Sequence, residues 1–241
     1  MRVAVISDVH ANHHALTAVL SAVDAEGVDE LWCLGDTVGY GPKPNECCDT
    51  VRERAALCLV GNHDLVALGE LTVAEFNDEA AAAAVWTREV LTPESQAFLR
   101  GLEAVAERDD VQLFHASARD HVWEYVLTEE AARATLELTS APVVLVGHSH
   151  VALALNLRKG QVAGGIAPDD THIELDHRWL LNPGSVGQPR DGDSRAAWLL
   201  LDLEARFARF RRVPYPIEET QAEIGEAGLP PLLAARLAHG E

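Results

Sequence analysis

The chain has 241 residues, of which 48% are hydrophobic and 24% charged, and its formal net charge is −19. A chain of this length and apolar content buries a large core as one domain. The acidic excess argues against binding to a nucleic-acid duplex, because that binding depends on lysine and arginine. No stretch approaches the length of uninterrupted apolar sequence that a membrane helix needs, so we expect no membrane partner.

The cysteines and the N-terminal sequence indicate the cellular compartment in which we expect the protein. The four cysteines are Cys33, Cys47, Cys48 and Cys58. They form no C-x-x-C zinc pattern, so they are predicted to be free thiols, which suits a reducing cytoplasm. The N-terminus enters a strand directly, without the charged and apolar segments of a signal peptide. We therefore expect a soluble, cytoplasmic protein.

The predicted elements alternate between strand and helix from the start of the chain. Asn12 is the predicted N-cap of a helix over 13–26, and Gly27 ends that helix. Short apolar runs of this kind are typical of the buried strands of an open α/β sheet. These runs cover residues 3–6, 31–34, 57–60, 111–114 and 143–146. The alternation predicts a layered α/β fold.

The rest of the chain is divided by composition. Residues 65–107 are alanine-rich and are predicted to be a helical insertion that covers one side of the site. We expect Trp123 and Tyr125, which share one face of a predicted strand, to be core residues rather than a platform for stacking bases. The other elements are a helix within 42–56, strands at 121–127 and 151–157, a helix near 129–138, a loop at 182–190 and a hairpin over 196–212. Residues 1–212 are predicted as one domain, and 213–241 as a tail with short helices.

Each of the five apolar runs ends, within a residue or two, on a side chain that can bind a metal. These side chains are Asp8, His10, Asp36, Asn62, His115, His148 and His150. Active sites of open sheets lie at the carboxyl ends of strands, so neighbouring strands would gather these groups in one cleft. Seven ligands suggest two ions, and Asp36 is the natural bridge because a carboxylate has two oxygens.

The donor set mixes nitrogen and oxygen and contains no thiolate. Such a set favours transition metals over magnesium or calcium, which prefer oxygen alone. Paired ions about 3.5–4 Å apart are suited to in-line displacement at phosphorus. We expect two divalent transition-metal ions, with manganese as the first choice and iron, zinc or nickel as alternatives.

The motifs resemble, in their order, the signature of the calcineurin-like metallophosphoesterase superfamily, and most strongly its small prokaryotic phosphodiesterases. They are Asp8-Val9-His10, Gly35-Asp36, Gly61-Asn62-His63-Asp64, His115 and Gly147-His148-Ser149-His150. The 182–190 loop is also similar to that branch. The resemblance runs to about residue 212 and implies a sandwich of two mixed β-sheets flanked by helices.

The resemblance also implies a role for each motif residue. One metal would be held by Asp8, His10, Asp36 and His150, and the other by Asp36, Asn62, His115 and His148. A hydroxide that bridges the metals would attack a small phosphate ester, in the first place a phosphodiester. His63 would stabilise the transition state or protonate the leaving oxygen, and Asp64 would orient and polarise His63.

Tyr40 and Arg190 are the candidates for substrate contact. Tyr40 follows Asp36 in a turn, and an arginine can bind phosphate through two hydrogen bonds. The alternative is a turn tyrosine and an arginine at the rim of the site, paired with Asp191 or Asp193.

Other functions stay open. The same site could serve a phosphomonoesterase or a nucleotide phosphatase, or the fold could be a non-catalytic scaffold, although every ligand position and His63 are filled. No arginine follows Asp36 until Arg52, unlike in the Ser/Thr protein phosphatases and symmetrical diadenosine tetraphosphatases of the superfamily. Ser149 could be a hydrolase nucleophile, but Val151 replaces the glycine of a nucleophile elbow. The substrate and the formation of a homo-oligomer are left undetermined.

Overall fold

The computed structural model describes residues 1–158 and 160–241. Two six-stranded mixed β-sheets form the centre of the fold. Along the first sheet the strands are β3 (Leu57–Cys58), β2 (Glu30–Cys33), β1 (Arg2–Ile6), β11 (Ala196–Asp202), β12 (Phe207–Val213) and β9 (His172–Glu174). Along the second they are β4 (Val105–Arg108), β5 (Val111–Phe114), β6 (Val143–Leu145), β10 (Trp179–Pro183), β7 (Ala152–Arg158) and β8 (Gln161–Ile166). The predicted fold class is confirmed.

Helices cover the sheets and connect the strands. They are α1 (His13–Glu26), α2 (Pro44–Arg54), α3 (Asn62–Leu68), α4 (Asp78–Val90), α5 (Pro93–Arg100), α6 (Glu129–Leu138), α7 (Ile217–Glu226) and α8 (Pro231–Ala235), with 3-10 turns at Val73–Glu75 and Arg236–Ala238. The start and end of α1 agree with the prediction, since Asn12 Oδ1 accepts a hydrogen bond from Ala15 N at 3.1 Å. Across the described ranges, no helix has the length and apolar character needed to cross a membrane.

The two sheets share one apolar core, and each outer face has its own cover. Val3 and Val5 of β1 point into the core between the sheets, together with residues of β5 and β6. The alternate residues Ala4 and Ile6 face outward and pack against α1. Because β1 is buried on both faces, its sequence is apolar at every position rather than alternating.

The predicted strand at 121–127 is wrong. Asp120 Oδ1 accepts hydrogen bonds from the backbone N–H groups of Val122 and Trp123, both at 3.1 Å, and the chain turns there. Such a side-chain-to-backbone turn competes with pairing into a sheet. Trp123 and Tyr125 are therefore not core residues, and Tyr125 is 47% exposed.

The helical part of residues 65–107 ends earlier than the prediction. Helix α5 ends at Arg100, and β4 follows as an antiparallel partner of β5 at the edge of the second sheet. The side chains of β4 are exposed or half-buried, so its sequence lacks the apolar run that marks the inner strands. Strand β8 escaped prediction for the same reason, since it is largely exposed.

Residues of the tail pack on the same chain, close to the predicted site. Leu233 and Leu237 are buried in an apolar cluster with Tyr40 and Ala83. This cluster places the 3-10 turn Arg236–Ala238 beside the loop that follows Asp36.

A buried ion pair joins the two sheets near the 182–190 loop. Arg212 of β12 pairs with Asp191, and the two side chains are only 4% and 2% exposed. Asp191 Oδ2 also accepts a hydrogen bond from Ala152 N, at the start of β7, at 3.1 Å. This carboxylate therefore contacts a strand of each sheet.

Replacing Arg212 should destabilise the fold far more than replacing an exposed arginine of the same strand. Arg212→Met leaves Asp191 buried without its cation, which costs about 3–5 kcal/mol. Arg209→Met is the matched control, because the Arg209–Asp170 pair is 40% and 65% exposed, and we expect a loss below about 1 kcal/mol. Urea unfolding measures both, and equal small losses would contradict the structural role of the buried pair.

Candidate metal centre

The ends of five strands bring most of the predicted ligands into two overlapping groups. The ligand atoms of each group lie within 4.8 Å of one another. The groups are Asp8, His10, Asp36 and His150, and Asp36, His115 and His148. Asn62 lies beside the second group, with its Oδ1 3.1 Å from His115 Nε2. Asp36 belongs to both groups, which is the position expected of a bridging ligand.

Backbone carbonyls orient all four imidazole rings. The contacts are His10 Nδ1 to Val38 O (3.2 Å), His115 Nδ1 to Leu34 O (2.9 Å), His150 Nδ1 to Gln188 O (2.7 Å) and His148 Nε2 to Trp123 O (3.1 Å). A ring nitrogen that donates to a carbonyl carries the proton, so the other nitrogen presents a lone pair. Each ring thus offers one unprotonated nitrogen to the cluster.

The arrangement of these lone pairs fits bound cations. His10 Nε2 and His150 Nε2 are 2.9 Å apart, yet the tautomers just described leave neither nitrogen with a proton to donate. Within the described parts of the chain, the buried Asp36 Oδ2 has no hydrogen-bond partner. Facing lone pairs and a buried, unpartnered carboxylate oxygen are unfavourable alone and become ligands when a metal ion lies among them.

Burial sets the protonation of the cluster in the absence of ions. It raises the pKa of Asp8 to about 7 and holds the pKa of Asp36 well above its usual value. Burial also keeps the pKa values of His10, His148 and His150 well below the ordinary histidine value. Bound cations favour the ionised carboxylates, so metal binding and carboxylate ionisation are coupled.

The backbone at the cluster is strained. The residues with left-handed backbone here are Asp8 (φ 54°), His10 (φ 49°), Asp36 (φ 51°), His148 (φ 62°) and His150 (φ 59°). Each such residue costs about 1–3 kcal/mol, and conformations of this kind concentrate at functional sites. Gly61 is required for a different reason, since a Cβ there would overlap the Asp36 carboxylate.

His63 lies next to the cluster in a fixed orientation. Its ring stacks on Phe76 and lies against Tyr40, with centroid distances of 4.3 Å in both cases. His63 N donates to Asp36 Oδ1 at 2.8 Å, which ties the start of α3 to the cluster. Burial lowers the pKa of His63 well below its usual value.

The predicted pairing of Asp64 with His63 is not formed. Asp64 instead accepts hydrogen bonds from the backbone N–H groups of Val38 and Gly61, each at 2.9 Å. Within the described chain, His63 Nδ1 is buried without a hydrogen-bond partner. Asp64 therefore positions the loops around His63 rather than contacting its ring.

Tyr40 and Arg190 lie together beside the cluster. Arg190 Nη2 donates to Tyr40 Oη at 3.1 Å, and the Tyr40 ring is 4.7 Å from that of His10. Asp191 pairs with Arg212 and Asp193 with Arg195. The alternative of a rim arginine paired with either aspartate is therefore wrong. Both candidate residues line a cavity of about 730 Å³ with Asn62 and His63.

Comparison with known proteins agrees with this geometry. Residues 1–206 match the family model of the calcineurin-like phosphoesterase superfamily domain. The chain belongs to this superfamily. An uncharacterised protein of Methanocaldococcus jannaschii is 35% identical over 240 residues, which cover 98% of this chain and 96% of that protein.

Two solved structures of similar length share the fold of this superfamily member. A metallophosphoesterase from Sphaerobacter thermophilus superposes with a TM-score of 0.90 and 41% identity, covering 100% of this chain and 99% of that one. A hypothetical protein from Pyrococcus horikoshii gives a TM-score of 0.81 at 20% identity, with coverage of 100% and 98%. The second likeness shows the fold alone.

Among residues 1–158 and 160–241, Ser149 has no catalytic partner of the kind that a serine hydrolase needs. Its Oγ accepts a hydrogen bond from Asn182 Nδ2 at 3.0 Å, and none of the described histidine rings hydrogen-bonds to it. Asn182 Nδ2 also donates to Gly147 O at 2.7 Å, so it holds the turn that presents His148 and His150. This role of Asn182 was not predicted from the sequence, where the residue is marked only by its position near the end of β10.

Replacing the shared carboxylate should remove both metals at once. Asp36→Asn lacks the charge that both ligand groups use, so we expect metal content to fall from about two ions per chain to near zero. The wild-type stabilisation by added manganese should also disappear, because only bound metal shifts the unfolding equilibrium. Metal analysis after dialysis and thermal unfolding measure the two effects.

Asp78→Asn is the control, because Asp78 is an exposed residue at the start of α4. It should keep both the metal content and the stabilisation. An Asp36→Asn variant that still binds both ions would contradict the bridging position.

Proposed function

We propose that this chain is a binuclear metal-dependent hydrolase of phosphate esters, and specifically a phosphodiesterase. The observation that carries the proposal is that two groups of buried ligands share Asp36. The ligands of one ion would be Asp8, His10, Asp36 and His150, and those of the other Asp36, Asn62, His115 and His148. Two divalent ions, manganese in the first place, would supply an activated water and neutralise charge on the phosphoryl oxygens.

His63 would act on the leaving group. Its Nδ1 is buried, so Nε2 is the ring nitrogen that can reach the cavity lined by this residue. Stacking on Phe76 fixes the ring plane, and the hydrogen bond from His63 N to Asp36 Oδ1 fixes the backbone. In the neutral ring, the Nε2–H group can stabilise charge on the leaving oxygen by a hydrogen bond, whereas protonation of that oxygen requires His63 to enter the reaction as an imidazolium.

The volume of the cavity is large enough for a diester. A diester carries two organic substituents, and a cavity of about 730 Å³ has room for both beside the ligand cluster. Arg190 and Tyr40 line one part of it, whereas Trp123 and Tyr125 line another. We expect the substrate to be a small phosphate ester in the cytoplasm rather than a nucleic-acid duplex or a membrane lipid. A phosphomonoesterase or nucleotide phosphatase on the same site is the second candidate.

The first test compares bis(p-nitrophenyl) phosphate with p-nitrophenyl phosphate. Protein stripped with a chelator should be inactive, and added manganese should restore turnover that favours the diester. Nickel, zinc and magnesium are tested in parallel to identify the working ion. Restored turnover that favours the monoester would contradict the phosphodiesterase assignment. Bound metal without turnover of either ester would point to a narrow substrate specificity or to a scaffold.

His63→Gln should lose most turnover while keeping its metals. Removing a positioned proton donor costs roughly 10²–10⁴-fold in rate. Metal analysis on the same sample shows whether the ligand cluster is intact. His172→Gln is the control, since His172 is 46% exposed and pairs with Glu174 on β9. Unchanged turnover in His63→Gln would contradict the role assigned to this ring.

A further inference from the structure

Two arginines on one wall of the cavity are held next to each other by a single neutral group. Gln188 Oε1 accepts a hydrogen bond from Arg190 Nη2 at 2.8 Å and another from Arg236 Nη1 at 3.3 Å. Both arginines line the 730 Å³ cavity that also contains His63. Two guanidinium groups therefore share one amide oxygen beside the ligand cluster.

Neither arginine forms an ion pair within the described residues, although the chain carries a net charge of −19. Nearby arginines are paired, as Arg195 is with Asp193. Glu75 and Asp120 also line the cavity, but neither pairs with Arg190 or Arg236. Arg236 Nε is in addition buried without a hydrogen-bond partner in the described chain. Among the described residues, the two guanidinium groups therefore retain N–H donors without an acceptor and have no carboxylate paired with them.

The position of Arg236 is fixed by the tail. Leu233 and Leu237, on either side of Arg236 in sequence, are 1% and 4% exposed and pack in the cluster that contains Tyr40. Arg190 contacts the same tyrosine through its hydrogen bond to Tyr40 Oη. The pair is therefore a rigid feature that adjoins the ligand cluster without belonging to it.

Adjacent positive charges repel unless an anion lies between them. Guanidinium groups are planar forks that bind phosphate through two parallel hydrogen bonds each. We propose that Arg190 and Arg236 form a subsite for a second phosphate group of the substrate, beside the position of the phosphorus that reacts. This inference rests on the proposed function and narrows the substrate to phosphate esters that carry a further phosphate.

A matched pair of chromogenic diesters tests the subsite. Thymidine 5′-(p-nitrophenyl phosphate) and its 3′-phosphate share the reacting group and differ only in the second phosphate. The thymine ring suits the aromatic residues Phe76, Trp123 and Tyr125 on the cavity lining. With manganese bound, the 3′-phosphorylated ester should have a kcat/KM roughly 10–100-fold higher.

Arg236→Gln should reduce this preference by roughly tenfold. Arg236→Lys should retain part of it, because the charge remains but the fork is lost. Arg209→Gln, at a residue that does not line the cavity, should keep the full preference. Equal kcat/KM for the two esters in the wild type, or a preference that survives Arg236→Gln, would overturn the subsite.

A binding measurement separates the subsite from the catalytic proposal. Calorimetry on the manganese-loaded protein compares thymidine 3′,5′-bisphosphate with thymidine 5′-phosphate, and needs no turnover. Tighter binding of the bisphosphate that depends on Arg236 supports the subsite, whether or not the esters are hydrolysed. Failure to hydrolyse either ester would overturn the proposed function but not the subsite. In the wild type the preference should weaken as sodium chloride is raised, because the contact is ionic. A preference insensitive to salt would count against the arginine pair.

Discussion

The carboxylate of Asp36 is buried at the point where two groups of metal-ligand side chains meet, and the chemistry of the whole site follows from this placement. Asp36 Oδ1 accepts a hydrogen bond from His63 N, while Oδ2 has no hydrogen-bond partner among the described residues. A buried carboxylate needs either full hydrogen bonding or an opposite charge. The rings of His10 and His115 lie close to this carboxylate. Burial holds the pKa of His10 well below its ordinary value, so the His10 ring carries no positive charge. Divalent cations bound among these ligands would supply the missing positive charge.

The backbone conformations that present the ligand cluster destabilise the fold, and the apolar core offsets this destabilisation. Left-handed backbone at residues such as Asp8 and His148 costs about 1–3 kcal/mol each. The apolar layer between the sheets, with Val5, Leu145 and Leu199 fully buried, provides the opposing stabilisation. The strands carry the ligands on a rigid framework, and backbone carbonyls fix the imidazole rings. Metal binding can then proceed with little rearrangement.

Much of this was predictable from sequence, because buried strands and helix caps leave strong local patterns. The apolar runs located β1, β2, β3, β5 and β6, and Asn12 with Gly27 bounded α1. Exposed edge strands such as β8 left no such pattern. The turn at Asp120 was missed because one side chain, which accepts two backbone hydrogen bonds, overrides the local alternation. Arg236 could not be predicted as part of the cavity, since only tertiary packing brings it near residues almost 200 positions away, as in the cluster with Tyr40.

A crystal structure of the manganese-loaded protein, with anomalous scattering measured at the manganese edge, tests the bridging position of Asp36 most directly. We expect two peaks about 3.5–4 Å apart on either side of the Asp36 carboxylate. One should lie against His10 and His150, and the other against His115 and His148. A single peak, or ions bound away from Asp36, would show that this buried carboxylate does not join two metal sites.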